Sequence, residues 1–517
     1  MATSKSRTPT LFRVCPLACL LIAALVLAPA GRVAAQSANF PVRTAEAASD
    51  QVPALFLSDI HLDPYADPDK VSRLNRAPVA EWGAILGAPD SATQQQDFAT
   101  LQKTCPVRGV DTPDVLFQSS LDAIHSDAAR SRFVTISGDL LAHQFDCKFR
   151  TLLPSASHTD YLLFVDKTIQ FILDSLRSKL PGVPIYVALG NNDSGCTDYA
   201  LNSTHDDFLA RTAPIVAAAA MVPESGRQAL DVDFARDGSY SVPLAAIPHT
   251  RIIVLDDLFA SGKYVTCGGK PDPAPAAAQL AWLESQLAAA RQLHEWVWVM
   301  GHIPPGVDLY STARKLTNVC AGGQPQMFLG SQALAEVLAR NSDIVRLALF
   351  GHTHSDEMRL LSPAQASQNA PSATDGSKAM PPVSGGVPLK IVASITPVNG
   401  NRPTFTLASI DASTATLVDY TVIMASNLTG IGTTWSPEYT YSTTYHEPQF
   451  DAASLRTLMD GFQADPSAKT AASQAYLRDY FPGDVSSIIK FAWPQYACSL
   501  DHDEAAGYSA CVCSAAK

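Results

Sequence analysis

The chain reads as an α/β protein in which strands of parallel type alternate with helices and a later antiparallel layer packs on them. Three observations predict this. Short apolar, β-branched runs alternate with amphipathic helical segments. Five of those runs end immediately before a side chain able to ligate a metal. The last two runs are joined by Asp411-Ala412-Ser413, a link short enough for a hairpin.

The first run, Ala54–Ser58, leads into Asp59-Ile60-His61. An irregular stretch then extends from Asp63 to about Pro113, before a helix over Val115–Ala129. Phe133–Ile136 reads as a buried strand closed by Ser137-Gly138, with Asp139 next and His143 four residues on. Over Asp160–Leu180 the residues Leu162, Val165, Ile169, Ile172 and Leu176 recur at three- and four-residue spacing, which is a helix stopped by Pro181-Gly182. Strand Ile185–Leu189 delivers Asn191-Asn192-Asp193. A helix over Ala274–Leu293, with Leu280, Leu283 and Leu287 on one stripe, precedes strand Trp296–Met300 and His302. The segment Gly330–Arg340 is helical, and strand Val345–Phe350 delivers His352-Thr353-His354. Pro363–Pro388 has the composition of a loop. Strands follow at Leu389–Ser394, Phe405–Ile410 and Thr416–Met424. From about Thr429 an aromatic-rich stretch and helices near Ala453–Phe462 and Ala471–Tyr480 suggest a small appended, mainly helical C-terminal subdomain closed by cysteines.

Lys5, Arg7 and Arg13, the apolar run inside Pro16–Pro29 and the small residues Val33-Ala34-Ala35 have the pattern of a cleaved export signal. The expected division is therefore signal peptide 1–35, polar lead-in 36–53, main domain 54–428 and C-terminal subdomain 429–517. A secreted or periplasmic protein with no transmembrane segment after processing is expected. Removing residues 1–35 leaves 33 Lys and Arg against 49 Asp and Glu, a balance of −16. Such a surface disfavours nucleic acid and anionic membrane as partners. Eight cysteines remain: Cys105, Cys147, Cys196, Cys267, Cys320, Cys498, Cys511 and Cys513. An even number in an exported chain favours disulfides, with Cys498–Cys511 the first expected pair and Cys267–Cys320 the next.

In open α/β sheets ligands gather outside the carboxyl ends of the strands, so the five exits converge on one site. Asp59 and His61, two apart on an extended exit, point to one side and can share a metal. Asp139 has two carboxylate oxygens and can bridge two metals. Asn191 offers a carbonyl oxygen, and His302, His352 and His354 offer imidazoles. This donor set without thiolate suits zinc first, then manganese or iron. A lone histidine after a strand is usually a hydrogen-bonded loop residue, and an Asp before a helix is usually a cap. Those plainer readings fail jointly, because all five signals share one position relative to a strand end. Gly138, Gly190, Gly301 and Gly351 directly precede four of them.

The ordered motifs Asp-x-His, Gly-Asp, Gly-Asn, Gly-His and Gly-His-Thr-His resemble the calcineurin-like metallophosphoesterase superfamily. Gly301-His302-Ile303-Pro304-Pro305-Gly306 and the segment Phe350–Glu357 are similar to the acid sphingomyelinase-like phosphodiesterase branch. The resemblance implies a two-sheet β-sandwich flanked by helices. It also implies two divalent metals, one on Asp59, His61, Asp139 and His354, the other on Asp139, Asn191, His302 and His352. The implied reaction is hydrolysis of a small phosphoester by attack of a metal-bridging hydroxide on phosphorus. Two departures qualify it. The family's usual Gly-Asn-His-Asp/Glu becomes Gly190-Asn191-Asn192-Asp193, a form that also resembles endopolyphosphatases, and the saposin-like lipid-presenting domain of acid sphingomyelinase is not expected here. Purple acid phosphatases are disfavoured, because Ala142 stands where they carry a tyrosine ligand. His143 matches a histidine of the sphingomyelinase pattern and is, with Asn192, the candidate for assisting the leaving group. The alternatives to a phosphodiesterase are a polyphosphate or nucleotide phosphoanhydride hydrolase, and a binding protein that has lost turnover through Asn192.

Overall fold

The computed structural model describes residues 51–203, 206–362, 385–484 and 486–515. The export signal, most of the lead-in and most of the loop expected at Pro363–Pro388 lie outside the described residues. Twelve strands run in chain order: β1 (Gln51–Leu57), β2 (Val134–Ser137), β3 (Ile185–Ala188), β4 (Tyr240–Pro243), β5 (Thr250–Val254), β6 (Trp296–Met300), β7 (Val345–Phe350), β8 (Glu357–Leu361), β9 (Val387–Ile391), β10 (Thr404–Asp411), β11 (Thr416–Ala425) and β12 (Trp435–Thr440).

They form two six-stranded sheets, ordered β12-β11-β10-β1-β2-β3 and β4-β5-β6-β7-β9-β8. In the first sheet β1, β2 and β3 pair in parallel, and β10 runs antiparallel to β1. In the second, β5, β6, β7 and β9 are parallel, with antiparallel β4 and β8 at the edges. This is the expected β-sandwich flanked by helices. The expected separate antiparallel layer is corrected: hairpin β10–β11 extends the β1 sheet, and β9 belongs to the other sheet. Parallel strands buried on both faces read as unbroken apolar runs, which carry no mark of their sheet partner.

Trp298 of β6 is buried between the sheets, with its ring centroid 6.0 Å from Phe56 of β1 and 5.7 Å from Phe133. Its indole N–H donates to the Ala415 carbonyl at 2.8 Å, so the large apolar face is buried without an orphaned donor. The helix His158–Lys179 starts at a capping box, in which the Ser157 side chain accepts from Asp160 N and the Asp160 carboxylate accepts from Ser157 N. Its apolar stripe, including Phe164, Val165, Ile169 and Ile172, packs into the larger core.

Several elements differ from expectation. The stretch after Asp63 is not irregular: it holds helices at Pro68–Arg76, Trp82–Leu86 and Gln94–Thr104. Pro78 and Gly87 cut it into pieces too short to show a long period. Strands β4, β5, β8 and β12 were not expected. The strand expected at Leu389–Ser394 lies two to three residues earlier, as β9. The C-terminal segment first supplies β12 to the first sheet and then continues as the expected helices, among them Ala452–Gln463 and Ala471–Asp479.

Cys498–Cys511 pairs as expected. Cys267–Cys320 does not form: Cys267 joins Cys196, Cys320 joins Cys513, and Cys105 joins Cys147. Sequence separation of 193 residues between Cys320 and Cys513 gives no hint of their proximity. Among the described residues no helix is long and apolar enough to cross a membrane.

Candidate metal centre

The carboxyl ends of β1, β2, β3, β6 and β7 meet at one end of the sandwich, so the site draws on both sheets. The Asp59 carboxylate crosses between them to accept from His352 N at 3.1 Å. His302 Nδ1 returns to the Ser137 carbonyl at 2.7 Å. Close approach makes glycine necessary at two positions. A Cβ on Gly351 would overlap Ser58 and Asp59, and one on Gly138, itself at φ +89°, would overlap the His302 ring.

Asp59, His61, Asp139, His352 and His354 all have φ between 44° and 70°. Side chains other than glycine rarely adopt this left-handed region, so each of these residues holds local strain. Opposing contacts keep them there. The buried Asp193 carboxylate accepts from Leu140 N, Leu141 N and Gly190 N, which fixes the exits of β2 and β3 together. The buried Asp257 carboxylate accepts from His302 N and Ile303 N and fixes the exit of β6. Burial raises both acids to about 7, and Asp139 adds to the effect at Asp193.

All seven sequence candidates converge. Asp139 Oδ2 lies 3.3 Å from His61 Nε2 and 3.2 Å from His302 Nε2. His354 Nε2 is 3.3 Å from Asp59 Oδ1, and Asn191 Oδ1 is 3.2 Å from His302 Nε2. Two atoms each ~2.1 Å from a tetrahedral cation are separated by about 3.4 Å, so these spacings suit shared ligation. Asp59, His61 and Asp139 form one set able to hold an ion, and Asp139, His302 and His352 another. His61 Nε2 is buried with no hydrogen-bond partner, as expected of a nitrogen reserved for a cation. The Leu141 carbonyl at 2.8 Å from His61 Nδ1 and the Ser137 carbonyl at His302 fix both tautomers so that Nε2 faces the cluster. Asn191 is oriented by its amide nitrogen, which donates to Asp198 at 2.7 Å.

Without a cation, the acids and histidines of the cluster balance one another's charge. Burial alone would raise Asp139, but His302 and His61 hold it well below the usual carboxylate range. Burial would lower His302, yet the Asp139 carboxylate overrides it and pushes it up to about 10. His352, buried beside cationic His302, is pushed down to about 3.

His143 and Asn192 are at the site in different ways. The His143 ring stacks on His61 with centroids 4.2 Å apart, and its donor atom lies within reach of those of His61 and His354. Its Nδ1 is 2.8 Å from the buried Asp111 carboxylate, which also meets Lys148 Nζ at 3.4 Å. Lys148, wholly buried, pairs with Asp63 at 2.8 Å. Asn192 turns inward: its backbone and side-chain N–H groups donate to Asp139 at 2.8 and 2.9 Å.

Asp257, Asp198, Tyr199, Asp111 and Lys148 were not singled out from sequence. A signal for Asp257 exists, because Arg251-Ile252-Ile253-Val254-Leu255-Asp256-Asp257 repeats the pattern of an apolar strand followed by an acid.

Comparison with known proteins gives the family. "Cyclic GMP-AMP phosphodiesterase SMPDL3A" of Homo sapiens is 26% identical over 364 residues, covering 68% of this chain and 69% of that protein. "Sphingomyelinase phosphodiesterase D" of Dictyostelium discoideum is 25% identical over 348 residues, covering 65% and 66%. Among solved structures, a dimetal phosphatase from Danio rerio superposes with a TM-score of 0.38 at 12% identity, over 75% of this chain and 99% of that one. The family description "Calcineurin-like phosphoesterase" matches residues 52–356, which hold every candidate ligand. Because that match spans well over half of the chain, the protein belongs to the calcineurin-like phosphoesterases and is a metal-dependent hydrolase of phosphoric esters.

Proposed function

We propose that the chain is an exported two-metal phosphodiesterase acting on a small soluble phosphodiester. The observation that carries this reading is the position of Asp139, whose one oxygen lies about equally far from His61 and His302 on opposite sides of the site. Asp59, His61, Asp139 and His354 would hold one cation, and Asp139, Asn191, His302 and His352 the other. The cations would bind phosphoryl oxygens and make water nucleophilic near neutral pH. The similarity to a cyclic GMP-AMP phosphodiesterase and to sphingomyelinase phosphodiesterases supports a diester over a monoester.

The chain's own residues do the rest. Asp193 and Asp257 hold the ligand-bearing loops by their backbone N–H groups. As an imidazolium His143 would donate Nδ1–H to Asp111 and keep Nε2–H toward the centre, where that proton can pass to the departing alkoxide and leave a neutral ring still held by Asp111. Asn192 is a positioning residue that orients Asp139 rather than a group that touches substrate. A cavity of about 410 Å³ opens beside His352 and Thr353 and is walled by Tyr310, Phe328, Tyr480 and Phe481. It suits the retained or departing substituent, and its walls come partly from the C-terminal segment.

Metal analysis combined with turnover of bis(4-nitrophenyl) phosphate tests the reading. Wild-type protein should carry two divalent ions and turn over. Asp139→Asn should lose both properties together. Full occupancy without turnover in the wild type would leave a binding protein, and full occupancy with normal turnover in Asp139→Asn would refute the shared-ligand assignment.

A further inference from the structure

Two loops are bound together on the His302–His352 side of the centre. One runs on from Asn191 through Asp198 and Tyr199, and the other carries Lys263. Cys196–Cys267 joins them, Ala200 bridges Val265, and Tyr199 O accepts from Val265 N at 3.0 Å. This stapling places the Lys263 ammonium 3.2 Å from the Tyr199 hydroxyl and 4.6 Å from its ring centroid. The same hydroxyl is 3.4 Å from His352 Nε2.

An ammonium has donors only, so Tyr199 Oη accepts from Lys263. With Nε2 turned toward Tyr199, Nδ1 is the His352 atom left to face Asp139 and His302. A neutral imidazole that uses Nδ1 as ligand carries its proton on Nε2, and Tyr199 Oη accepts that proton too. Both acceptor positions of the hydroxyl are then used, and its own O–H is free to donate outward. Lys263 is exposed, and among the described residues its ammonium meets no carboxylate within 4 Å. The Asp198 carboxylate feels the Lys263 charge without pairing with it directly, so an exposed ammonium and an undirected O–H stand side by side at the rim of the centre, where they suit an anion. Asn192 does not serve that purpose, because its amide is turned to Asp139.

We infer that Tyr199 and Lys263 form an anion-holding pair that hydrogen-bonds a non-bridging oxygen of the reacting phosphoryl group from the His352 side. The inference rests on the proposed two-metal reading of the same centre. It gives the site a donor on each flank: His143 beside His61 and His354 for the leaving oxygen, Tyr199 and Lys263 beside His352 for the phosphoryl charge. Preorganised donors of this kind stabilise charge that grows in the transition state.

The test uses Lys263→Met, Lys263→Arg and Tyr199→Phe in the full-length, metal-loaded protein. Inorganic phosphate serves as probe, by calorimetry and as an inhibitor of bis(4-nitrophenyl) phosphate turnover. Lys263→Met and Tyr199→Phe should each weaken phosphate binding by roughly tenfold or more and lower kcat/KM comparably, with metal content unchanged. Lys263→Arg should retain most of the binding. Unchanged phosphate affinity in Lys263→Met would overturn the inference. So would a loss in Tyr199→Phe that appears only together with loss of metal, since Tyr199 would then merely orient His352. A wild-type protein without metal-dependent turnover would refute the two-metal reading instead, and calorimetry with phosphate would still decide the fate of the pair.

Discussion

Replacing His143 by alanine separates proton donation from metal chemistry. The His143 side chain is 29% exposed, stacks on His61 and is oriented by Asp111 at 2.8 Å. If its Nε2–H protonates the leaving oxygen, its loss should slow diesters of alkyl alcohols by ~10²–10⁴-fold, the usual worth of general acid assistance. A 4-nitrophenolate leaves without a proton, so bis(4-nitrophenyl) phosphate should lose about tenfold or less. Asp111→Asn should reproduce the selective loss while the ring remains. An amide donor facing Nδ1 would force the imidazole proton onto Nε2 permanently, and the recharged acid would no longer be anchored by a carboxylate. Lys148 keeps Asp63 in that variant, so the fold should persist. The assay is kcat/KM across diesters graded in leaving-group basicity, with metal content measured in parallel. Equal losses on aryl and alkyl esters would refute the assignment and leave the leaving group to water.

Lys148→Met should destabilise the protein by about 3–5 kcal/mol in a denaturant titration, because it strands the buried Asp63 and Asp111 carboxylates. A loss below ~1 kcal/mol would show that these acids are protonated or hydrated instead. Metal affinity should rise with pH, since the metal-free His302, raised to about 10, must release a proton to become a ligand. The metal-free fold should show the opposite sign. A histidine whose folded pKa is raised stabilises fully below its unfolded value, and that contribution is lost as pH climbs toward about 10. Chelator titrations and thermal melts from pH 6 to 9 would check both slopes. The acidic surface and a cavity of about 410 Å³ also predict that soluble diesters outperform sphingomyelin in intact bilayers. A clear preference for bilayer substrate in a head-to-head rate assay would count against the proposed substrate class.

The proposed ligands were legible in sequence because each one announces itself locally. Val297–Met300 and Leu347–Phe350 are buried strands, and His302 and His352 follow at the strand exit that topology reserves for ligands. Asp111, Asp193 and Asp257 were harder to assign, because their carboxylates act on backbone N–H groups and on a histidine reached only through the fold. The helices between Pro68 and Thr104 were missed because proline and glycine divide them. The pairing of β10 with β1 joins residues more than 340 apart, such as Phe56 and Thr406, and no local pattern encodes it.

Five proposed ligand positions held in left-handed backbone set the requirements of activity against those of folding. Each costs about 1–2 kcal/mol relative to a relaxed conformation. Glycine at Asp59 or His354 would release that cost while deleting a ligand. Screens that reward only yield or heat resistance should therefore enrich chains with an emptied centre, and a robust, well-expressed variant of this protein is where lost turnover should be checked first.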